Sequence, residues 1–144
     1  MGRCVLVVGG GGREHALAIG LSESDSVAEV HVAPGNAGTA NVATNHQVSD
    51  GDVDAQVALA HRLGADLVVV GPEGPLVKGL ADALRADGIP CFGPHSEGAM
   101  LEGSKTVAKS TMQKLGVPTA QVIRLDSSSD LDSDLDEFTP PWVI

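Results

Sequence analysis

The chain has 144 residues, of which 42% are hydrophobic and only 2% aromatic, so its core must be filled by Val, Leu, Ile and Ala. That mix suits buried parallel strands covered by helices and disfavours an aromatic-rich sandwich. The formal net charge is -10, with only four lysines among the bases; such a surface repels phosphate backbones, which excludes nucleic acid as a first partner and requires a built local site for any anionic ligand.

In chain order, Cys4 to Val8 is a β-rich apolar run that ends in the glycines Gly9 to Gly12. Arg13 to Leu21 reads as a helix with Ala16, Leu17, Gly20 and Leu21 on one stripe. Val27 to Ala33 is a second strand, closed by Pro34-Gly35-Asn36, and a weak extended piece lies around His46 to Val48. Asp52 to Leu63 is helical, begun by acids that suit its N-terminal dipole. Asp66 to Val70 is a third clear strand, and Leu76, Leu80 and Leu84 mark one further helix. Ile89 to Phe92 is a fourth strand. Alternation of this kind predicts βαβ units with right-handed crossovers, hence a doubly wound parallel α/β sheet.

The last third reads differently. Ser104 caps a predicted helix whose stripe is Ala108, Met112 and Leu115, stopped by Gly116 and Pro118. Ala120 to Leu125 is expected to be one more strand, Asp126 to Glu137 a solvated acidic segment, and Pro140 to Ile144 the start of something strand-like. Cys4 and Cys91 are expected to be small buried side chains in a reducing compartment. Five histidines with no i,i+4 pair and no sequence clustering with cysteine make a zinc site unexpected, and no residue of this chain is read as a metal ligand. No apolar run reaches membrane-spanning length and no secretory signal is evident, so a soluble cytoplasmic protein without a membrane partner is the default expectation.

The chemistry concentrates at strand ends. Gly10, Gly11, Gly12 and Arg13 lie between a strand and a helix, where glycine lets the backbone approach a ligand and the helix start offers unpaired N–H groups to an anion. A dinucleotide reading fails, because Glu14 or His15 stands where the last glycine of that fingerprint belongs and no acid follows the second strand. Glu73 is expected at a helix start after Gly71, as a dipole-complementing acid or as an acceptor for a sugar hydroxyl or an amine. Lys105 at another helix start opposes the dipole, which leaves a phosphate contact or a solvent-facing chain.

Taken together, Val7 to Leu17, Ala33 to Thr39, Val70 to Leu76, and Gly93-Pro94 with Leu101 to Lys105, Ala108-Lys109 and Gly116 to Ala120 resemble the glycinamide ribonucleotide synthetase (phosphoribosylamine–glycine ligase) family. The resemblance implies a Rossmann-like domain preceding an ATP-grasp core. It implies an enzyme of de novo purine synthesis that joins phosphoribosylamine to glycine, converts ATP to ADP, and uses Mg2+ or Mn2+. On this resemblance Gly10, Gly11, Gly12, Arg13, Glu14, Pro34, Gly35, Asn36, Gly71 and Glu73 contact substrate, and Lys105 contacts ATP. Residues 1–103 are then the substrate-binding domain and 104–144 a linker and the incomplete start of the ATP domain. The family's later glycine-rich loop and carboxylate metal ligands have no counterpart here, so the expectation is a chain cut before its ATP-grasp core, without catalytic residues and inactive by itself. The alternative is a stand-alone phosphosugar-binding or interaction module completing an ATP-grasp site supplied by another chain.

Overall fold

The computed structural model describes residues 2–123 together with Leu125, Ser128, Ser129, Leu135 and Phe138. Contacts divide the chain into two compact units, Met1–Gly103 and Ser104–Ile144.

The first unit is built on five strands: β1 (Arg3–Gly9), β2 (Val27–Pro34), β3 (Thr44–Asn45), β4 (Leu67–Val70) and β5 (Cys91–Phe92). They form one sheet in the order β3-β2-β1-β4-β5 with every pairing parallel, which is the doubly wound α/β architecture expected from the alternation. Between them run α1 (Gly12–Ser22), α2 (Val53–Leu63), α3 (Glu73–Val77) and α4 (Leu80–Ala86), and α5 (Ser96–Gly103) follows β5. The central strand β1 alternates its side chains between two apolar layers. Leu6 and Val8 join Leu59, Val68, Val70, Leu76, Leu80 and Leu84 beneath α2, α3 and α4. Val5 and Val7 join Ala18, Val30, Val32 and Val69 beneath α1. Full burial of one such leucine stabilises the fold by about 1.5–3 kcal/mol relative to leaving it exposed.

The helices depart from expectation in three places. On α1 the buried residues are Glu14 and Ala18, with Leu21 packed beside them, whereas Ala16, Leu17 and Gly20 are exposed. A buried carboxylate had taken the place that hydrophobic periodicity assigns to an apolar side chain. The single helix expected through Leu76, Leu80 and Leu84 is two, α3 and α4, broken where Gly79 adopts φ +90°, a backbone that only glycine takes without strain. The helix α5 carries little periodicity. Its start is fixed from outside, by the Asp82 carboxylate accepting the Ser96 N–H at 2.9 Å. The extended piece expected near His46 begins earlier, at Thr44, and His46 N–H continues the ladder to the Val32 carbonyl at 2.8 Å.

In the second unit α6 (Lys105–Lys114) starts as expected, with the Ser104 hydroxyl accepting the Val107 N–H at 3.3 Å. None of its residues is buried, and Leu115 at its end is 73% exposed. The strand expected over 120–125 is not formed: Ala120 to Ile123 and Leu125 belong to no regular element. An extended segment becomes a strand only when a neighbour takes its N–H and C=O groups, and here the Ala120 carbonyl faces the Lys109 ammonium at 3.5 Å instead. The acidic stretch falls mostly, and Pro140 to Ile144 wholly, outside the described residues.

Candidate functional site

Parallel sheets of this order bind ligands beyond the carboxyl ends of their strands, where the chain reverses its direction of winding. Here that point lies at the ends of β1, β2 and β4, and the three turns that leave them are tied to one another. Gly71 N–H donates to the Val8 carbonyl at 3.0 Å and Gly35 N–H to the Gly9 carbonyl at 3.1 Å. A Cβ on Gly10 would stand 2.9 Å from the Gly35 carbonyl and 3.5 Å from the Pro34 ring, so only glycine permits this approach of the β1 and β2 turns.

Glu14 braces the glycine turn from below. It is 3% exposed, and its Oε2 accepts the Gly11 N–H at 2.7 Å while Oε1 accepts from Arg13 Nε at 3.0 Å. The carboxylate also occupies the space a side chain on Gly71 would need, since a Cβ there overlaps Oε1. Gly11 N–H is thereby consumed inside the protein. The first-turn amides of Gly12 and Arg13 have no acceptor by helix geometry, and no side chain or carbonyl among the described residues takes them or the Gly10 N–H. The Arg13 side chain is more than half exposed.

Asn36 locks the second turn to the first. Its Nδ2 donates to the Gly10 carbonyl at 3.0 Å and the Gly11 carbonyl at 3.2 Å, and its Oδ1 accepts the Gly38 and Thr39 N–H groups. Buried Thr39 accepts the Asn36 N–H at 2.8 Å, and Asn45 Nδ2 donates to the Asn36 carbonyl at 2.8 Å. Sequence reading missed Thr39 and Asn45, although the Asn36-x-x-Thr39 spacing is that of a side-chain-capped turn. On the third turn Pro72 abuts β1, its Cδ 2.9 Å from where a Cβ on Gly9 would lie, and Glu73 follows as the exposed first residue of α3. Gly10, Gly11, Gly12, Arg13, Glu14, Pro34, Gly35, Asn36, Gly71 and Glu73 therefore belong to one sheet edge, while Lys105 opens α6 in the other unit.

Beside this edge, the Asp82 carboxylate accepts from Ser96 N–H and bonds His95 Nδ1. The His95 bond, with the Ser96 N–H second, lowers the Asp82 pKa to about 2.

The opposite end of the sheet holds a second group of reactive side chains. Cys4, Glu29 and His31 bring a sulfur, a carboxylate oxygen and an imidazole nitrogen within 4.8 Å of one another, although sequence spacing gave no such cluster. His31 Nδ1 lies 3.0 Å from His46 Nε2. Burial, then His31, then Arg62 lower the His46 pKa; burial, then Glu29 and Asp66, raise that of the Cys4 thiol. Cys4 and Cys91 are half-buried rather than buried, and burial also pushes the Cys91 thiol up. No helix among the described residues is long and apolar enough to cross a membrane.

Comparison with known proteins accords with this arrangement. A family model described as "Phosphoribosylglycinamide synthetase, N domain" matches residues 3–102. Proteins named phosphoribosylamine–glycine ligase from Mycobacterium bovis and Streptomyces coelicolor are 52% and 55% identical to this chain, each over 97% of it and 34% of their own length. The chain thus spans about a third of the curated relatives it matches. Among solved structures, the phosphoribosylamine–glycine ligase of Thermotoga maritima superimposes on 82% of this chain and 26% of its own, with a TM-score of 0.55 and 34% identity. The biotin carboxylase subunit of a pyruvate carboxylase covers 98% of this chain and 34% of its own at a TM-score of 0.64 and 22% identity, a likeness of fold alone.

Proposed function

The chain belongs to the phosphoribosylglycinamide synthetase N-domain family, and from that premise we propose that it holds the phosphoribosylamine half of a ligase joining that amine to glycine. The observation that carries the reading is the braced glycine turn. The Gly10, Gly12 and Arg13 amides, left without an acceptor among the described residues, lie in the turn and first helical residues at the positive end of α1, and the half-exposed Arg13, paired with Glu14, lies beside them. This suits a phosphate ester, which the net charge of -10 would otherwise repel.

In this reading Glu14 and Asn36 position the turn and do not touch substrate, while Glu73 accepts from a ribosyl hydroxyl or the amine. Lys105, exposed at the start of α6, would meet ATP phosphates held by the remainder of the ligase, on the same polypeptide or a separate one. Mg2+ and Mn2+ favour all-oxygen ligands. The one cluster of three or more metal-binding side chains among the described residues mixes sulfur, nitrogen and oxygen, which does not fit an ATP-bound Mg2+ or Mn2+. These 144 residues alone are expected to give no ATP- and glycine-dependent product.

The test is thermal protection by ribose 5-phosphate. A side chain on Gly12 meets no atom within 4 Å, whereas one on Gly11 meets Glu14 Oε2 at 2.9 Å and disturbs the brace. Gly12→Val should therefore keep the unliganded melting temperature within about 2 °C, a surface-type change of under ~0.5 kcal/mol, and abolish the protection seen in wild type. Equal protection of both proteins would remove the phosphate from this turn.

A further inference from the structure

We propose that Cys4, Glu29 and His31 form a binding site for a divalent ion of the zinc class, with His46 orienting the His31 ring from behind. The site is built by register. Cys4 on β1 pairs with Glu29 on β2, and His31 lies two residues further along β2 on the same face. Their donor atoms all lie within 4.8 Å of one another, and His31 Nε2 is 3.3 Å from Glu29 Oε2. Ligands on one tetrahedral zinc stand about 3.3–3.6 Å apart, as bond lengths near 2.0–2.3 Å require. The His31–Glu29 spacing already meets that distance, and the Glu29 side chain, 68% exposed, is free to rotate the remainder of the way. Sulfur and imidazole with a single carboxylate select zinc or cobalt over magnesium and calcium.

The His31–His46 contact supplies what a metal-bound histidine needs. Two imidazole nitrogens at 3.0 Å share one proton. With that proton on His31 Nδ1, His46 Nε2 accepts it and the His31 Nε2 lone pair faces Glu29 and Cys4, the arrangement by which a partner behind the ring fixes the ligating nitrogen. Without a cation, the same pair serves Glu29 through His31 Nε2–H. The Cys4 thiol now donates to the Leu63 carbonyl at 3.7 Å, and its proton leaves to solvent when the thiolate binds metal. Asp66, which accepts the Cys4 N–H at 2.8 Å, adds negative charge beside the sulfur. Glu29 and His31 also border a shallow hollow with Ala28, Val30, Val42 and Thr44. Occupied, the metal site would clasp β1 to β2 and, through His46, to the segment after β3, at the end of the sheet away from the glycine turn.

The experiment is titration of the reduced, chelator-stripped 144-residue chain with Co2+ and then Zn2+. One equivalent of cobalt should give a thiolate-to-metal charge-transfer band that zinc abolishes, and zinc at a hundred times Kd should raise the melting temperature by roughly 5–10 °C. Cys4→Ser should remove the band. Glu29→Gln, an exposed change that leaves the core untouched, should weaken zinc at least tenfold, and His46→Phe should weaken it about tenfold with all three ligands in place. Absence of the charge-transfer band would overturn the proposal, as would zinc binding undiminished in Glu29→Gln, which would put the ion elsewhere, for example on His61 or His95. Should Cys4→Ser fail to fold, Glu29→Gln decides alone.

Discussion

The two ends of the central sheet are built from different materials. At the carboxyl end the groups proposed to face a ligand are backbone amides of Gly10, Gly12 and Arg13, and the side chains of Glu14 and Asn36 bond the backbone of the turn. At the amino end the backbone is strand, with one register shift between Arg3 and Cys4, and the side chains of Cys4, Glu29, His31 and His46 supply the reactive atoms. A backbone-built site has its charge fixed at every pH and depends on where atoms cannot be. A side-chain site depends on which atoms are present, and on register between strands. Steric changes should therefore damage the first end, and removal of single polar atoms the second.

The severest way to break this comparison is to remove what the two ends share. Leu6 is fully buried midway along β1, so Leu6→Ala should cost about 2–5 kcal/mol in urea denaturation and weaken both ends together; loss confined to one end would show that the sheet does not couple them. Next comes Gly71→Ala. Its methyl overlaps the Glu14 carboxylate, so about 1–3 kcal/mol should be lost together with phosphosugar protection, while metal binding at the amino end is retained. The smallest effect concerns acid. The Asp82 pKa is lowered to about 2 from 3.8, so the stability it adds at the cap of α5 is present above 3.8 and is lost as the pH falls through about 2. The gap in urea midpoint between wild type and Asp82→Asn should accordingly be open at pH 5 and closed near pH 2. A gap that persists in acid would mean that the cap works without its charge.

The same difference explains what could be read in the sequence. A backbone-built site needs contiguous glycines after a strand, so Gly9 to Gly12, Pro34 to Asn36 and Gly71 stand out in the text. The sheet was legible for the related reason that buried parallel strands are continuous apolar runs. The role of Glu14 was not legible, because an acid in the first turn of a helix ordinarily faces solvent and only the glycine at position 71 makes room for it. Nor was α5, whose capping carboxylate lies 14 residues earlier in the chain. The histidines were expected not to cluster with cysteine, and the approach of His31 and Glu29 to Cys4 was not legible because it is a property of the β1–β2 register, which no local spacing encodes.

Both outer strands of the sheet, β3 and β5, are only two residues long. A sheet recruits further copies of itself through the row of unpaired amides and carbonyls on its outermost strands, and the length of that row sets how well a stranger can add. Here each row ends almost as soon as it begins. Phe92 on β5 is 71% exposed, an apolar surface that on a longer strand would seed fibrous growth. On this one it has too little template beneath it, so the fold resists edge-to-edge aggregation by brevity rather than by charge.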